Sequence, residues 1–223
     1  MMARAGIGMA LTTRWWWIRH APVTSDGGRI YGQSDIDCDV SNRDAFAALA
    51  AMLPREALWV TSNLRRTKMT ARAIREAGLA APEPLVEPGF AEQHFGVWQG
   101  RRRAEVYAER HDWRGFWLAP AHAAPPGGES FVALIARTAA AVARLNAAHG
   151  GRDIVAVAHG GTIRAALAIA LKLEPEAALG FSTDNLALTR LDHIAEEARE
   201  AWRIGAVNLP PHISIMAARG VDA

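Results

Sequence analysis

The chain has 223 residues, half of them hydrophobic and 22% charged, with a formal net charge of +2. That composition suits a globular domain with a full core and argues against an intrinsically disordered chain. The single cysteine, Cys38, excludes an internal disulfide and a cysteine-rich metal site, and it fits a reducing cytoplasm.

Residues 1–13 read as a disordered lead-in, with Met9 as an alternative start, and lack the apolar segment of a signal peptide. Residues 14–223 read as one domain, in which no apolar run approaches the ~18 residues of a membrane span. Trp15-Trp16-Trp17-Ile18 is an apolar strand that ends abruptly in Arg19 and His20. Residues 21–41 form a long loop rich in Gly, Pro, Asp and Ser. Phe46, Leu49, Ala50 and Leu53 mark a helix face that Pro54 stops, and residues 57–61 form a second strand. Ser62 or Asn63 caps a helix whose inner face is Leu64, Thr67, Ala71 and Ile74 and which ends at Gly78. A short strand at Leu85 and Val86 leads to GFAEQHFGVWQG and an arginine-rich helical segment to about Leu118. After a loop at 119–128, Phe131, Leu134, Ile135, Thr138, Val142 and Leu145 mark a long helix. Residues 153–158 have the pattern of a central strand buried on both faces. His159-Gly160-Gly161 then opens a helix through Ile163, Ala166, Leu167 and Leu171, and strands around 187–191 and 202–207 close the chain.

Alternating strands and helices predict an α/β fold, a three-layer sandwich with a mostly parallel central sheet flanked by helices. Three strands finish in polar groups: Arg19-His20, Ser62-Asn63 and His159-Gly160-Gly161. Parallel and adjacent, they converge on one crevice, and two of them enter helices whose free N–H groups favour an anion. Paired histidines, arginines and helix N-termini describe a phosphate pocket. Each group also has a plainer role open to it: Arg19-His20 the wet end of an edge strand, His159 a hydrogen-bonded core residue, Glu92 a solvated acid. Arg65, Arg101, Arg102 and Arg103 read as solvated faces. A metal is not expected, because no clustered carboxylates or thiols accompany the histidines.

In combination and in order, these stretches resemble the histidine phosphatase superfamily, which includes the cofactor-dependent phosphoglycerate mutases. Arg19-His20 matches the family's Arg-His-Gly, with Ala21 in place of glycine. SNLRRTKMTA matches its Ser-Pro-Leu-x-Arg motif, with Asn63 in place of proline and the phosphate arginine at Arg66. AEQHFGVWQG carries its acidic residue at Glu92, and AHGGTIR its second histidine at His159. The resemblance implies that His20 attacks phosphorus, Arg19 and Arg66 grip the phosphoryl oxygens, His159 donates to them, and Glu92 protonates the leaving alcohol. Gly32 and Gln33 fall nearest the family's phosphate-loop position, and Gly160 lies beside the second histidine.

Mutases of the family carry an arginine and a tyrosine where Gln93 and Phe95 stand, and an asparagine where Gly161 stands. Trp113-Arg114-Gly115 likewise weakens their second carboxylate clamp. The resemblance therefore implies a metal-independent phosphatase, without cofactor, acting on a small-molecule phosphomonoester, with a phosphoglycerate mutase as the alternative. RHAPV followed by IYGQSD resembles the branch of α-ribazole phosphatases. A cytoplasmic monomer or homodimer is expected, with neither nucleic acid nor membrane as partner.

Overall fold

The computed structural model describes residues 10–109, 117–197 and 199–211. Six strands form one sheet: β1 (Leu11–Arg19), β2 (Ala57–Thr61), β3 (Leu85–Val86), β4 (Asp153–Ala158), β5 (Leu188–Glu196) and β6 (Arg199–Leu209). They lie in the order β3-β2-β4-β1-β5-β6. The β3–β2, β2–β4 and β4–β1 pairings are parallel; β5 runs antiparallel to both of its neighbours.

Register places the three polar strand ends together. Arg19 pairs with Ala158 and Thr61 with Val157, so His20, Ser62 and His159 all follow at the same edge of the sheet. This is the carboxyl edge, where open α/β sheets collect ligands.

Helices α1 (Arg43–Met52) and α2 (Arg65–Glu76) cover one face of the sheet; α4 (Phe131–His149) and α5 (Gly160–Leu171) cover the other. The short α3 (Arg103–Ala108) and α6 (Pro175–Ala178) flank the carboxyl edge. Alternation along β4 feeds both layers: Val155 and Val157 meet Phe46, Leu49 and Ile74, whereas Ile154 and Ala156 meet Val142, Leu145 and Ile163. The tryptophans behave the same way. Trp15 and Trp17 point to one face and stack at 5.1 Å, each with Phe90 against it edge-on. Trp16, on the other face, donates from Nε1 to Asp153 and lies under the Arg190 guanidinium. Truncating fully buried Trp15 or Trp17 to alanine costs about 3–5 kcal/mol.

Four expectations change. Leu11, Thr12 and Thr13, assigned to the lead-in, pair with Ala195, Ile194 and His193; backbone pairing along the nine-residue β5 needs no apolar signal from the strand it recruits. Helix α2 is capped at Leu64, without a side-chain cap. Asp35, from the long loop, instead accepts the Arg65 N–H at 2.7 Å. The arginine-rich helix spans only Arg103–Ala108, Trp117 and Leu118 are not helical, and Trp113-Arg114-Gly115 lies outside the described residues. Finally, α4 is the one described helix long and apolar enough to cross a membrane. The sequence shows no unbroken apolar run there because Arg137 and Arg144 interrupt it. Its Ala141, Val142 and Leu145 pack into the core beneath the sheet.

Candidate active site

His20 follows directly on β1 and is 1% exposed. Its Nδ1 lies 2.7 Å from the Ala21 carbonyl oxygen. A carbonyl only accepts, so the ring proton sits on Nδ1, and Nε2 keeps its lone pair. Burial, followed by the Arg66 and then the Arg19 charge, lowers the pKa of this imidazole to about 3. The backbone is held as firmly as the ring: Asn185 donates to the His20 carbonyl at 2.7 Å, and the Ala21 N–H donates to Thr70 Oγ1 at 2.9 Å. The result is a neutral, oriented nitrogen base among guanidinium groups.

Arg66, in the first turn of α2, is fully buried. Its Nη2 donates to the Gly32 carbonyl at 2.6 Å, its Nη1 to the Ser34 carbonyl at 2.8 Å, and its Nε toward His159 Nδ1 at 3.3 Å. The Tyr31 ring lies 5.1 Å from the guanidinium carbon. Arg19 donates to the Thr183 carbonyl. Arg19 Nε and Thr183 Oγ1 are buried without a hydrogen-bond partner among the described residues. An unsatisfied buried donor is costly, and one beside a cavity is placed for an incoming acceptor.

His159 closes β4 and precedes α5. Its ring centroid is 5.2 Å from that of His20. With Nδ1 accepting from Arg66, the proton belongs on Nε2, which meets Ser62 Oγ at 2.8 Å. Burial and the Arg66 charge hold its pKa well below the ordinary imidazole range. The expected donation from His159 to a phosphoryl group is therefore not set up in this structure: its one N–H is directed at Ser62. Ser62, read as a helix cap, accepts the Leu64 N–H at 3.2 Å and also anchors this histidine.

Glu92 lies in the loop that follows Pro88–Phe90, and its carboxylate faces the start of α5. Its Oε1 accepts from the Gln93 N–H at 2.9 Å and the Gly161 N–H at 3.1 Å. A side chain at position 161 would collide with this carboxylate, and one at 160 would press on Thr183 Oγ1. Both glycines of His-Gly-Gly thus make room for functional groups. Behind Glu92, Arg137 donates to the Glu92 carbonyl at 2.9 Å and pairs with Glu129, whose Oε1 accepts the His94 N–H. The Gly127-Gly128-Glu129 turn is thereby part of the frame that holds the acid. Gln33, expected to bind substrate, ties two loops together: its Nε2 donates to the Glu92 carbonyl and its N–H to Gln99 Oε1, both at 2.8 Å.

Above these groups opens a cavity of about 400 Å³, lined by Arg19, Gly32, Glu92 and Gly160 and also by Arg103, Gly161, Arg164 and Thr183. Arg103 is exposed, as expected, and the start of α3 also places it at the cavity rim. Arg65 and Arg101 do lie outward, paired with Asp37 and Glu109. Among the described residues, no group of three or more His, Cys, Asp or Glu side chains gathers around a metal-sized space. What the site offers is a neutral histidine, guanidinium donors, helix N-termini and one acid, the parts needed to receive and transfer a phosphoryl group.

The family model of the histidine phosphatase superfamily (branch 1) matches residues 15–208. The chain belongs to this superfamily. Glucosyl-3-phosphoglycerate phosphatase of Mycobacterium tuberculosis is 38% identical over 168 residues, covering 70% of this chain and 74% of that protein. The mycobacterial glucosyl-3-phosphoglycerate phosphatase solved with VO3 superposes with a TM-score of 0.74 at 33% identity, covering 88% and 98% of the two chains. A structure from Escherichia coli K-12, named as a candidate α-ribazole-5′-P phosphatase, gives a TM-score of 0.68 at 25% identity, covering 88% and 96%.

The superfamily member's depressed histidines set a pH dependence. An unfolded imidazole takes up a proton near pH 6.5, but folded His20 does so only near pH 3. Between those values the unfolded chain binds more protons, so stability falls as pH falls through that window. From pH 7 to 4.5, His20 alone should account for roughly 2 kcal/mol. Urea unfolding at both pH values should show that much less acid destabilisation in His20→Gln; equal losses in both proteins would refute it.

Proposed function

We propose that this histidine phosphatase superfamily member hydrolyses a small-molecule phosphomonoester through a phosphohistidine on His20, with no metal required. One observation carries the reading: His20 presents an unprotonated Nε2 beside the Arg19 and Arg66 guanidiniums. In the first step the Nε2 lone pair attacks phosphorus, the bond from phosphorus to the ester oxygen breaks, and Glu92 gives that oxygen a proton. In the second, Glu92 takes a proton from water as the water oxygen attacks phosphorus. The N–P bond breaks, and inorganic phosphate leaves. Arg19 and Arg66 hold the equatorial oxygens, where negative charge is highest in the transition state. His159 serves them by holding Arg66 in place, its Nδ1 accepting the Arg66 Nε–H.

The similarity to glucosyl-3-phosphoglycerate phosphatases, at 33–38% identity, supports a phosphatase over a mutase and puts glucosyl-3-phosphoglycerate first in a substrate panel. α-Ribazole phosphate, suggested by the RHAPV and IYGQSD stretches, ranks behind it, since its support is a structure at 25% identity.

Hydrolysis of substituted aryl phosphates in the presence of a chelator tests the mechanism. Wild type should turn over, and Glu92→Gln should lose about 10²–10⁴-fold on the poorest leaving groups and far less on the best. A uniform loss across leaving groups would remove Glu92 as the proton donor. Abolition by the chelator would remove metal independence.

A further inference from the structure

The cavity carries more positive charge than one phosphoryl group uses. Among the described residues, Arg19, Arg103 and Arg164 line it against one carboxylate, Glu92, and Arg66 lies beneath. A phosphate dianion over His20 is matched by Arg19 and Arg66. Arg103 and Arg164 remain, on the side of Glu92 where a leaving group would lie.

Arg164 is aimed there by helix geometry. It falls one turn after Gly160 and Gly161 on α5, hence on the same face, and helical side chains lean toward the N-terminus. Its guanidinium therefore reaches back over two residues without side chains toward the mouth of the site. The charges of Glu92, Arg19 and Arg103 all act on it. The side chain is half-buried, and its Nε donates to the Phe181 carbonyl at 2.8 Å. That bond fixes the plane of the fork. Its two terminal nitrogens, without a hydrogen-bond partner among the described residues, match the spacing of carboxylate oxygens. An arginine held rigidly, half out of water and open toward a ligand cavity is built for an anion.

We propose that Arg164, with Arg103 on the same wall, receives a carboxylate carried by the leaving group, so that the enzyme prefers phosphomonoesters of hydroxy acids to those of neutral alcohols. The inference rests on the phosphohistidine reading above.

A matched pair of substrates tests it: 3-phosphoglycerate and glycerol 1-phosphate, which differ in a carboxylate against a hydroxymethyl group. Wild type should favour the acid by roughly 10- to 100-fold in kcat/KM, the usual weight of a charge-assisted contact. In Arg164→Gln that ratio should collapse toward one, chiefly through KM for the acid; Arg164→Lys should keep part of it, and Arg103→Gln should lower it less. Because the ratio is internal to each preparation, a fraction of unfolded protein cancels. A wild-type ratio near one, or a ratio unmoved in Arg164→Gln, overturns the inference while hydrolysis of both esters leaves the phosphatase reading standing. Should wild type cleave neither ester nor an aryl phosphate, both fall together.

Discussion

His20→Ala is expected to lower kcat/KM for every accepted phosphate ester on the order of 10⁴-fold or more, as removal of a nucleophile does when the remaining groups only bind. The same substitution should abolish covalent labelling. Wild type mixed with ³²P-labelled ester and quenched in alkali should retain label that is released by acid, the behaviour of a phosphoramidate. The argument rests on orientation as much as on identity. The Nδ1–H bond to Ala21 fixes the tautomer, and the bonds from Asn185 to the His20 carbonyl and from the Ala21 N–H to Thr70 fix the backbone on either side. Turnover within tenfold of wild type, or label retained by the variant, would mean that another group attacks.

Arg66→Leu should lower stability, with activity lost as well. The guanidinium holds two carbonyls of the long loop, and leucine would leave both unpaired. Each buried acceptor without a donor costs about 1–3 kcal/mol. Against this stands the relief of a buried cation, whose own pKa is lowered by desolvation. That relief is partial, since Glu92, Tyr31 and Asp35 already offset the burial, so the lost bonds outweigh it. The net expectation is a loss of about 2–4 kcal/mol and a fall in Tm of roughly 5–15 °C, measured by thermal unfolding without phosphate. An unchanged or raised Tm would show instead that the cation is held at the expense of stability, for phosphate binding alone.

Much of this could be read from the residues because the site is built where strands end. An apolar run stopping at Arg19-His20, and another at His159-Gly160-Gly161, announce both a strand and the polar group at its carboxyl edge. What stayed hidden depended on partners distant in sequence. Ser62 before a helix satisfies a local capping rule, yet its hydroxyl faces a histidine 97 positions away. Glu129 meets Arg137 and the His94 N–H only in the folded chain. Arg103 is solvated as its arginine-rich stretch suggests, but that stretch carries no sign of which member also borders the cavity. The spacing of Arg164 from Gly160 puts it on the glycine face of the helix, whereas the apolar stripe of that helix marks only Ile163 and Leu167. The first strand's true start was invisible for a simpler reason. Leu11-Thr12-Thr13 gains its structure wholly from the opposite strand.

The placement of that first strand has a consequence for how the protein is made. β1 lies between β4 and β5, so the first strand of the sheet to be synthesised is flanked by partners that follow much later in the chain. At about 5–20 residues per second, the interval between Arg19 and Asp153 amounts to roughly 7–30 s. During that time Trp15, Trp16, Trp17 and Ile18 lack both strands that later flank them, which leaves this apolar run open to nascent-chain chaperones.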